Sequence, residues 1–174
     1  MPRHAKRLTH LFWLIIATVL TAAQAETTEA DRAAPVELAA DSAEVDDASG
    51  VSIYRGDVVL TRGALRITGD LMRVFTDTER QLQRVVVEGT PATYRETMPQ
   101  AAPRRAEAPR MEYYASGPER LVLLEGGELR QGDNTVTGQT ITHYPAENRT
   151  VANGDGGEDG RVNVRVLPAP EGEQ

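Results

Sequence analysis

The sequence contains no cysteine, so thiolate zinc sites, CxxC redox chemistry and a cysteine nucleophile are all excluded. It has one lysine, Lys6, and one tryptophan, Trp13. Histidine is limited to His4, His10 and His143, and phenylalanine to Phe12 and Phe75. Beyond residue 25 only His143, Phe75 and five tyrosines remain. That is thin material for stacking sugars or single-stranded bases. Positive charge is also short: 19 Lys and Arg stand against 26 Asp and Glu, a net of −7. Setting aside Arg3, Lys6 and Arg7 takes it to −10, with arginine as the only cation left. So acidic a chain lacks the electrostatic footprint of a nucleic-acid binder. No convincing helical period is found after residue 25, and no G-x-S-x-G nucleophile elbow occurs anywhere.

What is present begins with a leader. Arg3, Lys6 and Arg7 precede an apolar run at residues 11–20, followed by Ala23-Gln24-Ala25. This pattern predicts a signal peptide over residues 1–25, cleaved before Glu26, and export to the periplasm or exterior of a bacterium. Ten apolar residues are few for a bilayer span. Residues 26–34 are expected to be flexible, 35–167 to form one domain, and 168–174 to be a disordered tail.

The domain alternates in period two. Val36 and Leu38, Val51 and Ile53, Val58 and Leu60, Leu65 and Ile67, Val85 and Val87, Leu121 and Leu123, and Val162, Val164 and Val166 each flank polar residues. Gly and Asp turn signals separate these strands. Four segments starting at Ala40, Gly69, Pro109 and Gly138 share a strand–turn–strand layout. The longer middle step contains residues 97–108 (TMPQAAPRRAEA), which read as an inserted Pro/Ala loop whose deletion changes stability little. The expected fold is all-β: repeated hairpins stacked into a jellyroll-like or solenoid-like antiparallel shell, with a compact sandwich as the alternative. Alternation assigns Leu38, Ile53, Val58, Leu60, Leu65, Ile67 and Tyr113 to the interior face. The end strands, residues 36–40 with Val36 and Leu38, and residues 161–167 with Val162, Val164 and Val166, are expected to be unblunted edges.

Catalytic patterns are weak. His143 is the only histidine after the leader and sits in an alternating strand. Adjacent carboxylates at Asp46-Asp47 and Glu158-Asp159 point to opposite faces if extended, so neither makes an acid–base dyad. The glycine-rich residues 153–160 lack calcium-loop spacing. Arg104-Arg105 could touch an anion, but in a Pro/Ala loop they read as solvated. No metal or cofactor is expected. An aliphatic interior with few large rings suits acyl chains.

Several stretches carry a family likeness: residues 34–41, Tyr54 to Asp70 (YRGDVVLTRGALRITGD), Glu88 to Tyr94 (EGTPATY), 111–113, 121–126 and 137–141. Together they resemble the OstA-like domain of lipopolysaccharide-transport proteins across residues 34–167. Arg62 and Gly69 stand where that family commonly has Gln and Ala. The resemblance implies a twisted, partly open antiparallel β-jellyroll with an apolar groove for the acyl chains of lipid A, Tyr94 near it, and no enzymatic activity. It also implies head-to-tail assembly, with an inner-membrane anchored partner at the N-terminal edge and an outer-membrane translocon at the C-terminal edge. Three readings compete with a periplasmic carrier: a membrane-anchored inner-membrane sister component, a calcium-stabilised β-repeat protein using residues 153–160, and a hydrolase resting on His143.

Overall fold

In the computed structural model, residues 34–155 and 160–167 are described. The expected leader, most of the flexible N-terminus, the Glu158-Asp159 pair and the C-terminal tail lie outside them. The described chain forms β1 (Glu37–Ala39), β2 (Ser42–Asp46), β3 (Val51–Arg62), β4 (Leu65–Thr76), β5 (Leu82–Met98) and β6 (Ala101–Tyr114). It continues with β7 (Arg120–Leu124), β8 (Gly127–Gln131), β9 (Asn134–Gly138), β10 (Thr140–Tyr144), β11 (Arg149–Asn153) and β12 (Asn163–Arg165). All belong to one antiparallel sheet, with order β1-β3-β4-β5-β6-β7-β10-β11 and β2, β8, β9 and β12 paired alongside. The turns follow from their residues. The Asp46 carboxylate accepts the amide protons of Ala48 and Ser49, at 2.9 and 3.2 Å. Gly63 and Gly132 supply the positive φ that opens the tight β3–β4 and β8–β9 turns.

A line of irregularities crosses the sheet and divides it. Register breaks between Arg55 and Val58 on β3, between Thr68 and Leu71 on β4, and between Glu88 and Ala92 on β5. On β6 the partner changes at Pro109: residues 110–114 pair with β7 and 104–107 with β8. Glu125 and Gly126 are left-handed, and Gln139 bridges Gly126 and Asn153 through its backbone. Bulges of this kind bend a sheet and shift which side chains face in. Buried residues accordingly change parity, from Leu65 and Ile67 to Met72 and Val74 on β4, and from Val85 and Val87 to Ala92 and Tyr94 on β5. Gly69 sits on this seam, where an added Cβ would meet the Val87 side chain and, at 2.7 Å, the Glu88 carbonyl oxygen. The four repeat starts read from the sequence lie on or beside the same line.

The seam defines two half-sheets. Half-sheet I contains β2, residues 51–55 of β3, 71–76 of β4, 82–88 of β5, 110–114 of β6, and β7, β10 and β11. Half-sheet II contains β1, residues 58–62, 65–68, 92–98 and 101–108 of the same four long strands, and β8, β9 and β12. They face each other: β7 and β10 approach β8, β11 approaches β9, and buried apolar side chains from both form one cluster. This is the all-β, twisted and open-edged architecture that the alternation and the resemblance predict.

Three expectations need correction. Residues 97–108 are no loop; they complete β5 and build most of β6, with Met98 opposite Ala101. Their alternation is hidden because the inward positions hold Arg104, Ala106 and Ala108 rather than large aliphatics. Ala106 is buried between Tyr94 and Leu129 in the ladder, so this is an inward face although its residues are small. Pro103 lies past the paired span of β8, and Pro109 falls on the seam, so neither removes a needed ladder donor. Ile53 faces outward, opposite Glu44 and Arg73, while its neighbour Tyr54 packs on the core. The bulge between Arg55 and Val58 separates this part of β3 from Val58 and Leu60, and pairing with β4 sets its facing: Tyr54 lies opposite the buried Met72 and Ile53 opposite Arg73. Lastly, the final strand is only Asn163–Arg165, shorter than the expected 161–167, and Val162 and Val166 flank it.

Candidate functional site

The interior is built from aligned rows. In half-sheet I, Tyr54, Met72, Val87, Met111, Leu123, Ile141 and Ala152 run straight across the strands. In half-sheet II the matching row is Leu38, Leu60, Ile67, Tyr94, Ala106, Leu129 and Val136, and it ends on the exposed Val164 of β12. Of the residues singled out from sequence, Val58, Leu60, Leu65, Ile67, Tyr94 and Tyr113 are buried in the common core, and Leu38 is half-buried against it. Ile53 is not among them.

Away from the seam the interior turns polar. The row nearest the hairpin tips of half-sheet II is Arg62, Leu65, Glu96, Arg104, Gln131 and Asn134. Facing it from half-sheet I are Tyr113 and His143, with the Tyr94 and Tyr113 rings 6.4 Å apart across the gap. Arg104, expected to be solvated, is only 2% exposed. Its Nη1 donates to Glu96 Oε2 at 2.6 Å, and the Tyr94 hydroxyl donates to the same oxygen at 3.1 Å. The Tyr113 hydroxyl donates to Glu119 at 2.7 Å. Burial first, then Glu96 for Tyr94 and Glu119 for Tyr113, holds both phenols above their ordinary range, so they remain O–H donors. The signal that could have found Arg104 is its even spacing with Ala106 and Ala108, read as one inward face.

His143 is 3% exposed, and its Nδ1 shares a 2.9 Å hydrogen bond with Thr150 Oγ1. This contact is to a hydroxyl, where a catalytic triad would place an orienting carboxylate. Burial, then the facing Arg104 guanidinium, pushes its pKa down to about 4. The unfolded chain therefore takes up a proton near pH 6.5 that the folded chain refuses until about pH 4. Stability is full above that window and declines as pH falls through it, by up to about 3 kcal/mol. Urea denaturation at pH 7 and pH 4.5 should show this decline in the native sequence and little of it in His143→Gln; equal declines in both would contradict the assignment. Glu112 adds a loss at lower pH. Burial opposes its ionisation, but Tyr114 and Arg110 outweigh that and hold the carboxyl below the ordinary range.

The outer face of half-sheet I carries a ladder of arginines and rings. Arg84 lies over Phe75 at 4.3 Å, and Arg120 over Tyr114 at 3.6 Å. A cleft of about 420 Å³ on the seam is lined by Asp70, Glu88, Thr90, Arg110 and Glu125 among others, but Glu88 there is already paired with Arg73 and Arg110. Among the described residues no cluster of three or more His, Asp or Glu could hold a metal, and no helix is long and apolar enough to cross a membrane.

The sheet keeps its edges open. β1 and β12 each have one partner strand and bound half-sheet II, as β2 and β11 bound half-sheet I. Val36, Val164 and Val166 are 36%, 61% and 67% exposed. An apolar interior between two half-sheets, polar at its lip and unclosed at its ends, defines an open-ended β-jellyroll. The comparisons with known proteins agree. A family model described as LptA/(LptD N-terminal domain) LPS transport protein matches residues 37–149, and the chain belongs to this family. It is 34% identical over 114 residues to the lipopolysaccharide export system protein LptH of Pseudomonas aeruginosa, a match that spans 65% of each chain. It is 28% identical to the lipopolysaccharide export system protein LptA of Haemophilus influenzae, over 90% of this chain and 91% of that one. The corresponding Escherichia coli K12 protein is 27% identical over 90% and 84%. The fold matches the crystal structure of LptH, described as the LptA homologous periplasmic component of the lipopolysaccharide transport device of Pseudomonas aeruginosa. That match has a TM-score of 0.72 and 30% identity, covering 80% of this chain and 99% of that one.

Proposed function

We propose that this chain is a periplasmic carrier of lipopolysaccharide, holding the acyl chains of lipid A between its half-sheets on the way from inner to outer membrane, with no catalytic step of its own. The observation that carries the reading is the continuous apolar cluster shared by both half-sheets, set in a family of lipopolysaccharide-transport proteins. A dry aliphatic interior is a solvent for acyl chains, and parting the half-sheets would admit them. The relatives bear the LptA and LptH names, and neither the anchored sister component nor a calcium-stabilised repeat draws support from them.

The open edges suit partners that add strands. In this reading an inner-membrane anchored partner pairs with β1, while a second copy or the outer-membrane translocon pairs with β12, giving a head-to-tail bridge. A photoreactive residue at Leu60 should crosslink lipopolysaccharide, and one at Val59, on the opposite face, should not. Equal labelling at both positions would defeat the carrier reading. Val164→Asp with Val166→Asp places charges on two exposed side chains, so folding is retained. Concentration-dependent assembly should be lost, and a monomer at every concentration in the native sequence would refute the head-to-tail arrangement.

A further inference from the structure

We propose that the polar lip of the interior is an anion-binding site, in which Arg104 and His143 hold a phosphorylated headgroup of the amphiphile whose chains fill the apolar part. This rests on the carrier reading above. Arg104 and His143 come from facing half-sheets, and each keeps a buried nitrogen without a hydrogen bond: Nε of Arg104 and Nε2 of His143. Burying a guanidinium so completely is unfavourable unless something is gained, because an apolar pair of similar size would serve folding as well or better. Its Nε has no partner and its Nη2 makes only a long 3.5 Å contact to Gln131 Oε1, so the planar Nε–Nη2 edge can be given to two oxygens of one phosphate.

Glu96 behaves as the resident stand-in anion. Its side chain is 26% exposed against 3% for Arg104, so the carboxylate can turn out to water while the guanidinium cannot follow. Position argues for a headgroup in particular. From Val58 beside the seam to Arg62 at the lip is four residues of extended strand, about 13 Å. The interior is apolar through Val58, Ala92 and Ala108, and through Leu60, Ile67 and Ala106, and becomes polar at Glu96 and Arg104. A chain whose tail reaches the seam therefore brings its headgroup to the lip. Arg62 shares that row, and the Tyr94 and Tyr113 hydroxyls add donors once their carboxylate partners turn away.

The test uses the full chain with two probes of equal acylation, diphosphoryl and monophosphoryl lipid A in detergent, and inorganic phosphate as a third. The native sequence should bind the diphosphoryl form about tenfold tighter. Glu96→Gln with Arg104→Gln removes the ion pair without stranding a charge, and should make the two affinities equal while binding persists. Arg104→Lys keeps the charge, loses the fork and should fall between; it serves if the double variant does not fold. The His143 imidazole resonance should shift with diphosphoryl lipid A and not with millimolar phosphate. A preference that survives in the double variant, or no preference in a native chain that binds both lipids, overturns the lip assignment and leaves the carrier standing. A shift with phosphate equal to that with lipid assigns the site to a small free anion and overturns the headgroup. Binding to neither lipid defeats the carrier reading itself.

Discussion

Deleting residues 97–108 should leave no cooperatively folded domain. The segment removes the end of β5 and most of β6, and with them Arg104, Ala106 and Ala108 from the interior. β8 pairs only with β6 and β9, so its Leu129 would lose the strand that carries it inward. β9 and β12 hang on β8 in turn. A domain of this size has a total stability of only about 5–15 kcal/mol. Losing the central hairpin of half-sheet II exceeds any reasonable share of that. Thermal melting followed by circular dichroism is the measurement. A cooperative transition within a few degrees of the intact chain would show that these residues are dispensable, as an inserted loop would be.

Ile67→Asp should be nearly as damaging from a single side chain. Ile67 is 1% exposed, flanked across the ladder by Leu60 and Tyr94, so a carboxylate there has no water and no cation. The expected loss is at least about 4 kcal/mol, against about 2–4 for Ile67→Ala, which only opens a cavity. Val59→Asp is the control. Val59 sits one residue from Leu60, on the opposite face, between Ala39 and Thr68. Its cost should be far smaller. Denaturant midpoints for the three variants decide the matter, and similar losses for Val59→Asp and Ile67→Asp would mean that the inward face is wrongly assigned.

These outcomes bear on lipid loading. The interior side chains are buried against one another, so the chain in this state is closed. On the carrier reading, admission of acyl chains would require the half-sheets to part, and the seam is where that motion would cost least. Backbone pairing is already interrupted there in β3, β4 and β5. The half-sheets would then move as bodies with their ladders intact.

Antiparallel hairpins, their turns and the open end strands were legible in the amino-acid order, because period-two alternation and Gly or Asp turn chemistry are local signals. Val58, Leu60, Leu65 and Ile67 could be placed inward from their own neighbours for the same reason. Ile53 could not, since the bulge at Gly56 and Asp57 separates it from Val58 and Leu60, and its facing is set by the pairing of its neighbour Tyr54 with Met72 on β4. The strand character of residues 97–108 was hidden because alanine carries little hydropathy, although Ala106 is buried between Tyr94 and Leu129. Arg104 reads as a surface cation until Glu96 and the facing His143 surround it. Neither neighbour is close in the pattern of the sequence; the hairpin brings one and the fold of the sheet brings the other. Burial, pairing and the polarity of the lip are properties of which faces meet, and that is decided only when bulges along the seam turn one sheet onto itself.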